Sequence, residues 1–257
     1  LAFSRMLRCM ELCRTENSKL LYSYKNKHKG QRCFLVGNGP SLQLSDLEGL
    51  NKKGEITFGC NLVTKVFGET SWRPDYYFLI DRICAKFQSE EINEAIGEIP
   101  LFTNITTYNI FREKPKNPVI LYNIAKDKYK VKRSPLAYYI PSGSTVMSLM
   151  IEMAVYMGFS EIYLIGCDCT STFSGNTHFI KGYTDDKLKA RDAKKIVDRM
   201  RRLGIQSDDY EKYFLDGSLN AYTLLKEHAI KHGVTIYNAT RGGALEVFDR
   251  VDLDNFI

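Results

Sequence analysis

The sequence contains no run of eighteen apolar residues and no segment with the pattern of a signal peptide. Because a helix needs about 20 apolar residues to cross a bilayer, we predict no membrane-spanning segment. It also lacks internal repeats and low-complexity linkers, which argues against repeat and disordered architectures. What remains is the composition of an ordinary globular domain of 257 residues, of which 44% are hydrophobic and 26% are charged.

The seven cysteines are scattered along the chain and include no Cys-X-X-Cys pair and no Cys/His quartet with zinc spacing. A domain of this length needs no disulfides to stabilise its core. His228 and His232 lie four residues apart, but they lack the Glu of an HExxH metal motif. We therefore predict a reducing, cytoplasmic compartment, no bound metal and no cofactor.

The net charge of +6 is concentrated at the start of the chain. Residues 1–30 contain seven basic and two acidic residues, whereas residues 31–257 contain 29 basic and 28 acidic residues. A nucleic-acid-binding surface spreads its positive charge over a face of the folded domain, so we predict no nucleic-acid partner. Residues 5–29 are instead a candidate for peripheral contact with the inner face of a membrane.

Apolar periodicity predicts a basic amphipathic helical lead-in over residues 1–30 and one α/β domain over residues 31–257, with a candidate flap at 185–216. In the domain, short apolar runs ending in Gly, Asn or Asp alternate with stretches of helical period, as in βα units. This pattern predicts a single doubly wound, Rossmann-like domain with a mainly parallel sheet. The predicted strands are Cys33–Val36, Ile56–Cys60, Tyr76–Ile80, Leu101–Thr103, Val119–Tyr122, Ile162–Ile165 and Thr235–Tyr237. The predicted helices are Leu42–Leu50, Cys84–Ile96, Thr145–Met157, Asp185–Leu203 and Ala221–His232.

A glycine turn follows the first predicted strand, with the sequence Gly37-Asn38-Gly39-Pro40-Ser41. Two glycines let the backbone approach an anion, and the amides of the following helical turn can hold a phosphate. Leu42 replaces the third glycine of the dinucleotide fingerprint, and no Gly-Lys-Ser/Thr follows, so a standard NAD site and a P-loop are disfavoured. The alternative is a tight βα turn capped by Ser41.

Polar residues stand where other predicted strands end or helices begin. Asn61, Asp81 and Asp168 follow three of the strands, and Ser142-Gly143-Ser144 precedes the helix that begins at Thr145. The carboxyl ends of parallel strands share one sheet edge, where open α/β folds bind ligands. We therefore predict that these residues converge on a nucleotide, although each one alone is also compatible with a local turn or cap.

His178 lies in a polar loop shortly after the strand that ends at Ile165. A neutral imidazole near its unperturbed pKa can take a proton from a sugar hydroxyl at neutral pH. This histidine is therefore the candidate general base. The alternative is a loop histidine that bonds the backbone.

These motifs resemble two related groups of proteins. The glycine turn, Cys60-Asn61, Ser142-Gly143, the run from Met157 to Asp168 and His178-Phe179 look like the bacterial sialyltransferases of glycosyltransferase family 42. Pro74 to Tyr77 with Asp81, and the run from Ile236 to Phe248, are similar to the wider MptE-like proteins, named after a 6-hydroxymethylpterin diphosphokinase. The resemblance implies a variant of the GT-A-like fold that the sialyltransferases have.

The resemblance also implies roles for individual residues. In the sialyltransferases the matching positions hold a cytidine monophosphate sugar, and the matching histidine deprotonates the acceptor hydroxyl without a metal. Carried over, this assigns His178 as the base and Asn38, Gly39, Ser41, Asn61, Ser142, Gly143 and Asp168 to the donor nucleotide. Gly37, Pro40, Asp81 and Ser144 are added as predicted nucleotide contacts because they belong to the same turns and strand ends.

The chain departs from the sialyltransferase pattern at two positions. Tyr139 stands where that family has an arginine, and Thr170 stands where it has a phosphate-binding tyrosine. Candidates to contact the leaving phosphate in this chain are therefore Thr170, Tyr183 and Arg241.

The resemblance predicts a metal-independent glycosyltransferase of bacterial surface-polysaccharide assembly. Its donor would be a CMP-activated acidic sugar and its acceptor a glycan or lipid-linked glycan, with a homo-oligomer left open. One alternative is a pterin-type pyrophosphokinase that uses ATP and magnesium, for which Asp81, Asp168 and Asp185-Asp186 are the available carboxylates. The other is a non-catalytic nucleotide-binding module.

Overall fold

The structure, a computed structural model, describes residues 15–121, 145–170, 178–180, 194, 197–198 and 200–257. Within these ranges one sheet of eight parallel strands forms, in the order β5-β4-β3-β2-β1-β6-β7-β8. This arrangement confirms the predicted single α/β domain with a parallel sheet. The strands are β1 Arg32–Val36, β2 Thr57–Cys60, β3 Tyr76–Phe78, β4 Leu101–Asn104, β5 Pro118–Leu121, β6 Glu161–Ile165, β7 Thr235–Asn238 and β8 Asp249–Arg250.

The strand order reverses between β1 and β6. From β1 the chain adds strands outward through β2 to β5, and it then returns to β6, which pairs with the other side of β1 along all five residues. Loops that leave two such strands turn to opposite faces of the sheet and open a crevice at its carboxyl edge. The topology therefore places the ligand-binding position of the fold between the loops that follow Val36 and Ile165.

The helices of the described ranges pack on both faces of the sheet. They are α1 Glu16–Ser23, α2 Leu44–Lys53, α3 Arg82–Phe87, α4 Ser89–Ile96, α5 Ile105–Tyr108, α6 Val146–Met157 and α7 Ser207–Lys231, with 3-10 turns at Asn61–Val66 and Leu253–Asn255. None of them combines the length and the apolarity that a bilayer crossing requires.

Aromatic side chains form the centre of the core on both faces of the sheet. On the face that carries α6, the rings of Phe58, Phe78 and Phe102 from neighbouring strands stack with centroids 5.3 and 4.9 Å apart. On the other face, Phe34 stacks on Tyr163 at 5.0 Å. Rings at neighbouring positions of parallel strands lie at the spacing that offset stacking prefers.

Helix α6 is the most buried helix, as its sequence predicts. Nine of its twelve residues are buried, and Gly158 ends it in the left-handed conformation, with φ of 85°. The strand that follows, β6, is buried on both faces except at its first residue. A helix that is apolar almost all round, followed by a central strand, forms half of a parallel crossover.

Three of the differences between the structure and the predicted elements are the following. The helix predicted over Cys84–Ile96 is two helices that meet at Gln88, whose φ of −132° is not helical, and each half buries its own apolar residues. Helix α7 begins at Ser207 and not at Ala221, so the predicted helix is the carboxyl-terminal part of a longer one. Of the described side chains between residues 207 and 216, all but Leu215 are exposed. Strand β8 was not predicted, since both of its residues are exposed.

The lead-in packs on the domain where it is described. The Asn17 side chain donates to the backbone oxygen of Ile120 and accepts from its backbone nitrogen, both at 2.8 Å, and so occupies the free edge of β5. Leu21 and Tyr24 are buried. The backbone nitrogens of Asn26 and His28 then donate to Tyr156 and Met157 at the end of α6. The basic stretch Lys25–Lys29 therefore lies at the amino edge of the sheet, while residues 1–14 are outside the described ranges.

Candidate functional site

The glycine turn continues the pairing of β1 with β6 beyond the ends of both strands. The backbone nitrogen of Gly37 donates to the carbonyl oxygen of Ile165 at 2.8 Å, and that of Gly39 donates to the oxygen of Gly166 at 2.9 Å. A β-carbon on Gly37 would lie 2.3 Å from the Gly166 oxygen. Only glycine permits this approach, which joins the two loops of the crevice through their backbones.

The space beside Gly39 is filled by the carboxylate of Asp168. A β-carbon on Gly39 would lie 1.9 Å from Asp168 Oδ2. Glycine is therefore required at position 39 to make room for the carboxylate of Asp168. The expected reason, close approach of the backbone to a ligand anion, does not apply at this position. A ligand phosphate does not enter this position while the carboxylate occupies it.

Asp168 connects three loops. Its Oδ2 accepts a hydrogen bond from Ser41 Oγ at 2.9 Å, and its backbone oxygen accepts one from the nitrogen of Ala244 at 2.7 Å. A β-carbon on Gly243 would lie 2.5 Å from the same backbone oxygen. The residue is only 7% exposed, and burial raises the pKa of its carboxyl while the bonds from Ser41 lower it.

The first turn of α2 carries its own negative charge. Helix α2 is capped by Gln43 and not by Ser41, and the Asp46 carboxylate accepts from the Gln43 backbone nitrogen at 2.9 Å. Asp46 is buried and bonds Arg241, which also bonds Asp254. Because a carboxylate already compensates the dipole of α2, this helix end is a poor position for a ligand phosphate. Contact between Arg241 and a phosphate stays a prediction.

Two asparagines follow β1 and β2 side by side. Asn38 Nδ2 donates to the carbonyl oxygen of Cys60 at 3.1 Å, which ties the glycine turn to the end of β2. Asn61 has a φ of 50°, and its backbone oxygen accepts from the Tyr77 hydroxyl. Among the described residues, Asn61 Oδ1 is buried and has no hydrogen-bond partner. A buried acceptor of this kind is suited to a donor group of a ligand, such as a ribose hydroxyl or a base amine.

His178 lies beside the glycine turn. The backbone nitrogen of the next residue, Phe179, donates to the backbone oxygen of Asn38 at 3.2 Å. The histidine is half-buried, and burial lowers its pKa to about 4. The imidazole is therefore neutral at physiological pH, the form in which it can accept a proton.

The remaining predicted residues divide into two groups. Asp81 is exposed and caps α3, accepting from the nitrogens of Ile83 and Cys84 at 2.6 and 3.3 Å, and both Pro40 and Thr170 are exposed. Pro40 belongs to the glycine turn itself, whereas the hydrogen bonds of the Asp81 side chain go to the first turn of α3. Ser142, Gly143, Ser144 and Tyr183, the departure at Tyr139, and Asp185-Asp186 lie outside the described residues.

The loop between β7 and β8 is a part of the site that the sequence analysis did not assign, apart from Arg241. Buried Asn238 shapes it by donating to Leu245 and accepting from Thr240, and Thr240 Oγ1 accepts from the Cys167 nitrogen at 3.0 Å. Arg250 donates to three of its carbonyl oxygens. The signal in the sequence is the run of polar and small residues from Asn238 to Gly243, placed directly after an apolar strand.

Comparisons with known proteins support the fold. A family model described as 6-hydroxymethylpterin diphosphokinase MptE-like matches residues 9–173. No curated protein sequence matches the chain.

Solved structures that are similar to the chain include the following two. The MAf glycosyltransferase from Magnetospirillum magneticum AMB-1 is 17% identical, with a TM-score of 0.50 over 91% of this chain and 35% of that one. The chain thus spans about a third of that protein's length. A mammalian sialyltransferase in complex with Gal-beta-1-3GalNAc-ortho-nitrophenol is 13% identical, with a TM-score of 0.37 over 95% of this chain and 87% of that one.

The contact between Gly39 and Asp168 predicts the effect of one added methyl group. We expect Gly39→Ala to lower the free energy of unfolding by about 1–3 kcal/mol, because the carboxylate and the Gly166 oxygen must both move. Gly68→Ala is the matched control, since a β-carbon there meets nothing within 4 Å, and its effect should stay below about 1 kcal/mol. Urea denaturation of the two variants measures the difference, and equal stabilities would contradict the packing described here.

Proposed function

The chain belongs to the 6-hydroxymethylpterin diphosphokinase MptE-like family, and from that premise we propose that it is a metal-independent glycosyltransferase. The donor is a CMP-activated acidic sugar, and the acceptor is a hydroxyl of a glycan or lipid-linked glycan of a bacterial surface polysaccharide. The residues that carry out the chemistry lie at the crevice between the β1 and β6 loops. The single observation that carries the proposal is the position of half-buried His178 beside the glycine turn, where the Phe179 nitrogen donates to the Asn38 backbone oxygen.

His178 acts as the general base of the transfer. It takes the proton of the acceptor hydroxyl while the hydroxyl oxygen forms a bond to the anomeric carbon of the sugar. The bond between that carbon and the phosphate oxygen breaks, and its electron pair leaves with CMP. A base held neutral by burial is ready to accept the proton throughout the physiological range of pH.

The nucleotide lies against the two asparagines and the start of α6. Buried Asn61 Oδ1 accepts a donor group from the ribose or the base. The first turn of α6 contains no acidic residue, in contrast to that of α2, where Asp46 is buried. The dipole of α6 is therefore available to the donor phosphate, next to the predicted contacts Ser142, Gly143 and Ser144. Thr170 and Tyr183 stay candidates for the same phosphate.

The family description supports a second candidate, a pterin-type pyrophosphokinase with ATP and magnesium. Magnesium is held by clustered oxygen ligands together with substrate phosphates. The Asp168 carboxylate accepts a hydrogen bond from Ser41, and the Asp81 carboxylate accepts from backbone nitrogens of α3. These two carboxylates therefore do not form one cluster of magnesium ligands. The described residues include no group of three side chains suited to a metal. A non-catalytic nucleotide-binding module is the third candidate.

Nucleotide binding distinguishes the two enzymatic candidates from each other. We expect CMP to raise the melting temperature in the presence of EDTA, because a ligand at 100 times its Kd stabilises the folded state by about 2.7 kcal/mol. The measurement is a thermal-shift series with CMP, CDP, UDP, GDP and ATP, each in EDTA and in magnesium. Stabilisation by ATP only with magnesium would favour the pyrophosphokinase, and no response to any nucleotide would contradict both enzymes.

Substitution of His178 tests the base. We expect His178→Ala to lower kcat of sugar transfer by about 10²–10⁴-fold with little change in CMP affinity, because the base contacts the acceptor. His228→Ala is the matched control, since burial also lowers the pKa of His228 to about 4 but α7 holds it away from the crevice. Transfer rates of both variants with the same donor and acceptor measure the effect. Wild-type kcat in His178→Ala would exclude the assigned role.

Peripheral membrane contact through residues 5–29 stays part of the proposal, and within this segment Lys25–Lys29 lie at the amino edge of the sheet. We expect reversal of the charges at Lys25, Lys27 and Lys29 to weaken binding to anionic vesicles, since each basic residue near such a surface contributes about 1 kcal/mol. The control reverses Lys65, Arg82 and Lys86, which follow the carboxyl ends of β2 and β3. Cosedimentation with vesicles rich in phosphatidylserine measures binding, and equal binding of both variants would reject the contact.

A further inference from the structure

An ion pair joins the first turn of α2 to the loop between β7 and β8, two segments of the crevice that are far apart in the sequence. Arg241, in the loop between β7 and β8, donates through one nitrogen to both oxygens of Asp46 at 2.8 and 2.7 Å. Its other terminal nitrogen donates to Asp254 at 2.5 Å. The Asp46 side chain is 1% exposed and that of Arg241 is 33% exposed. A carboxylate this buried needs its cation, because an unpaired charge in the interior is strongly unfavourable.

The pair crosses the end of a strand. Asp46 belongs to the first turn of α2, which follows β1, and Arg241 follows β7, while β6 lies between β1 and β7 in the sheet. Because β1 and β7 are not neighbours in the sheet, no hydrogen bond between strands connects the segments that follow them. The guanidinium therefore makes a connection that the sheet itself does not provide.

Asp168, in the loop after β6, makes a second connection between the segments that follow β1 and β7. Ser41, at the end of the glycine turn, donates to the Asp168 side chain, and Ala244 donates to the Asp168 backbone oxygen. Ser41 lies five residues before Asp46, and Ala244 lies three residues after Arg241. The two connections close a ring that contains the glycine turn, the end of β6 and the β7–β8 loop.

We propose that Arg241 is a positioning residue that, through Asp46, holds the glycine turn in the geometry that Asp168 and the donor nucleotide require. It then acts on the turn from the side of α2 and makes no contact with the donor phosphate. This assigns it a different role from the phosphate contact predicted from the sequence. The part of the inference that concerns nucleotide affinity rests on the proposed function, whereas the part that concerns the turn does not.

Hydrogen exchange of the whole protein tests the effect on the turn without any ligand. The amides to follow are those of Gly37, Gly39 and Ala244, each of which donates to a carbonyl oxygen of the β6 end. We expect Arg241→Gln to speed exchange at all three amides. Loss of protection at Ala244 alone would overturn the proposal, because the effect would then stop within the loop that carries Arg241.

The control for general destabilisation is Arg32→Gln. Arg32 bonds both oxygens of Glu55 at 3.1 and 2.5 Å, and it lies at the amino edge of the sheet. We expect both Gln variants to lower the melting temperature, while only Arg241→Gln exposes the turn amides. Equal exchange at the turn in the two variants would overturn the proposal. If Arg241→Gln does not fold, two milder variants replace it. Arg241→Lys keeps the positive charge, and Asp254→Asn weakens only the second contact of Arg241; the same two outcomes apply.

Nucleotide affinity separates positioning from phosphate contact. We expect Arg241→Gln to raise the Kd of CMP by about 10-fold, and Asp46→Asn, which removes the ion pair without touching the guanidinium, to raise it similarly. A large loss in Arg241→Gln with a wild-type Kd in Asp46→Asn would overturn the proposal in favour of direct phosphate contact. If the wild-type protein binds no nucleotide, the proposed function fails, and hydrogen exchange still decides whether Arg241 positions the turn.

Discussion

The close approach of the backbones after β1 and β6 is the constraint on which the candidate site depends. Gly37 and Gly166 pack against each other so tightly that a β-carbon on either would overlap the carbonyl oxygen of the other, at 2.3 and 2.8 Å. Because the two loops are joined in this way, the residues that follow them have little freedom. The Asp168 carboxylate packs against Gly39, and the Ser41 hydroxyl donates a hydrogen bond to it.

This packing also determines where negative charge is tolerated. The carboxylate of Asp168 fills the space beside Gly39, so no phosphate enters there, and Asp46 compensates the dipole of α2. Both acids are buried, and each is held by hydrogen bonds or by a cation. In the proposed function, the anion of the donor lies on the other side of the crevice, where α6 begins without an acidic residue. His178 lies beside the glycine turn, and its burial lowers its pKa to about 4.

The two edges of the sheet have different chemistry. The carboxyl edge carries the glycine turn, Asn61 and His178, and its loops are held by backbone hydrogen bonds and by the side chains of Asp168 and Arg241. The amino edge carries the exposed lysines of the lead-in, which reaches it through backbone bonds to the end of α6. A membrane that contacts the lysines therefore faces the edge opposite to the crevice, separated from it by the length of the central strands, about 15 Å.

The sequence by itself determined the elements of the sheet and the list of candidate residues. Seven of the eight strands were predicted within two residues, because buried parallel strands are continuous apolar runs and end at turn residues. Helix α6 was predicted for a similar reason, whereas α7 is longer than predicted and both residues of β8 are exposed. Family resemblance added the nucleotide and the base, which remain proposals.

Only the tertiary structure decided what those residues contact. The sequence could not show that Gly39 makes room for Asp168, since the two are 129 residues apart and meet only because β6 returns to pair with β1. Nor could it show that Arg241 bonds Asp46 across β6. Contacts between distant residues depend on strand order and register, which local patterns of hydrophobicity do not encode.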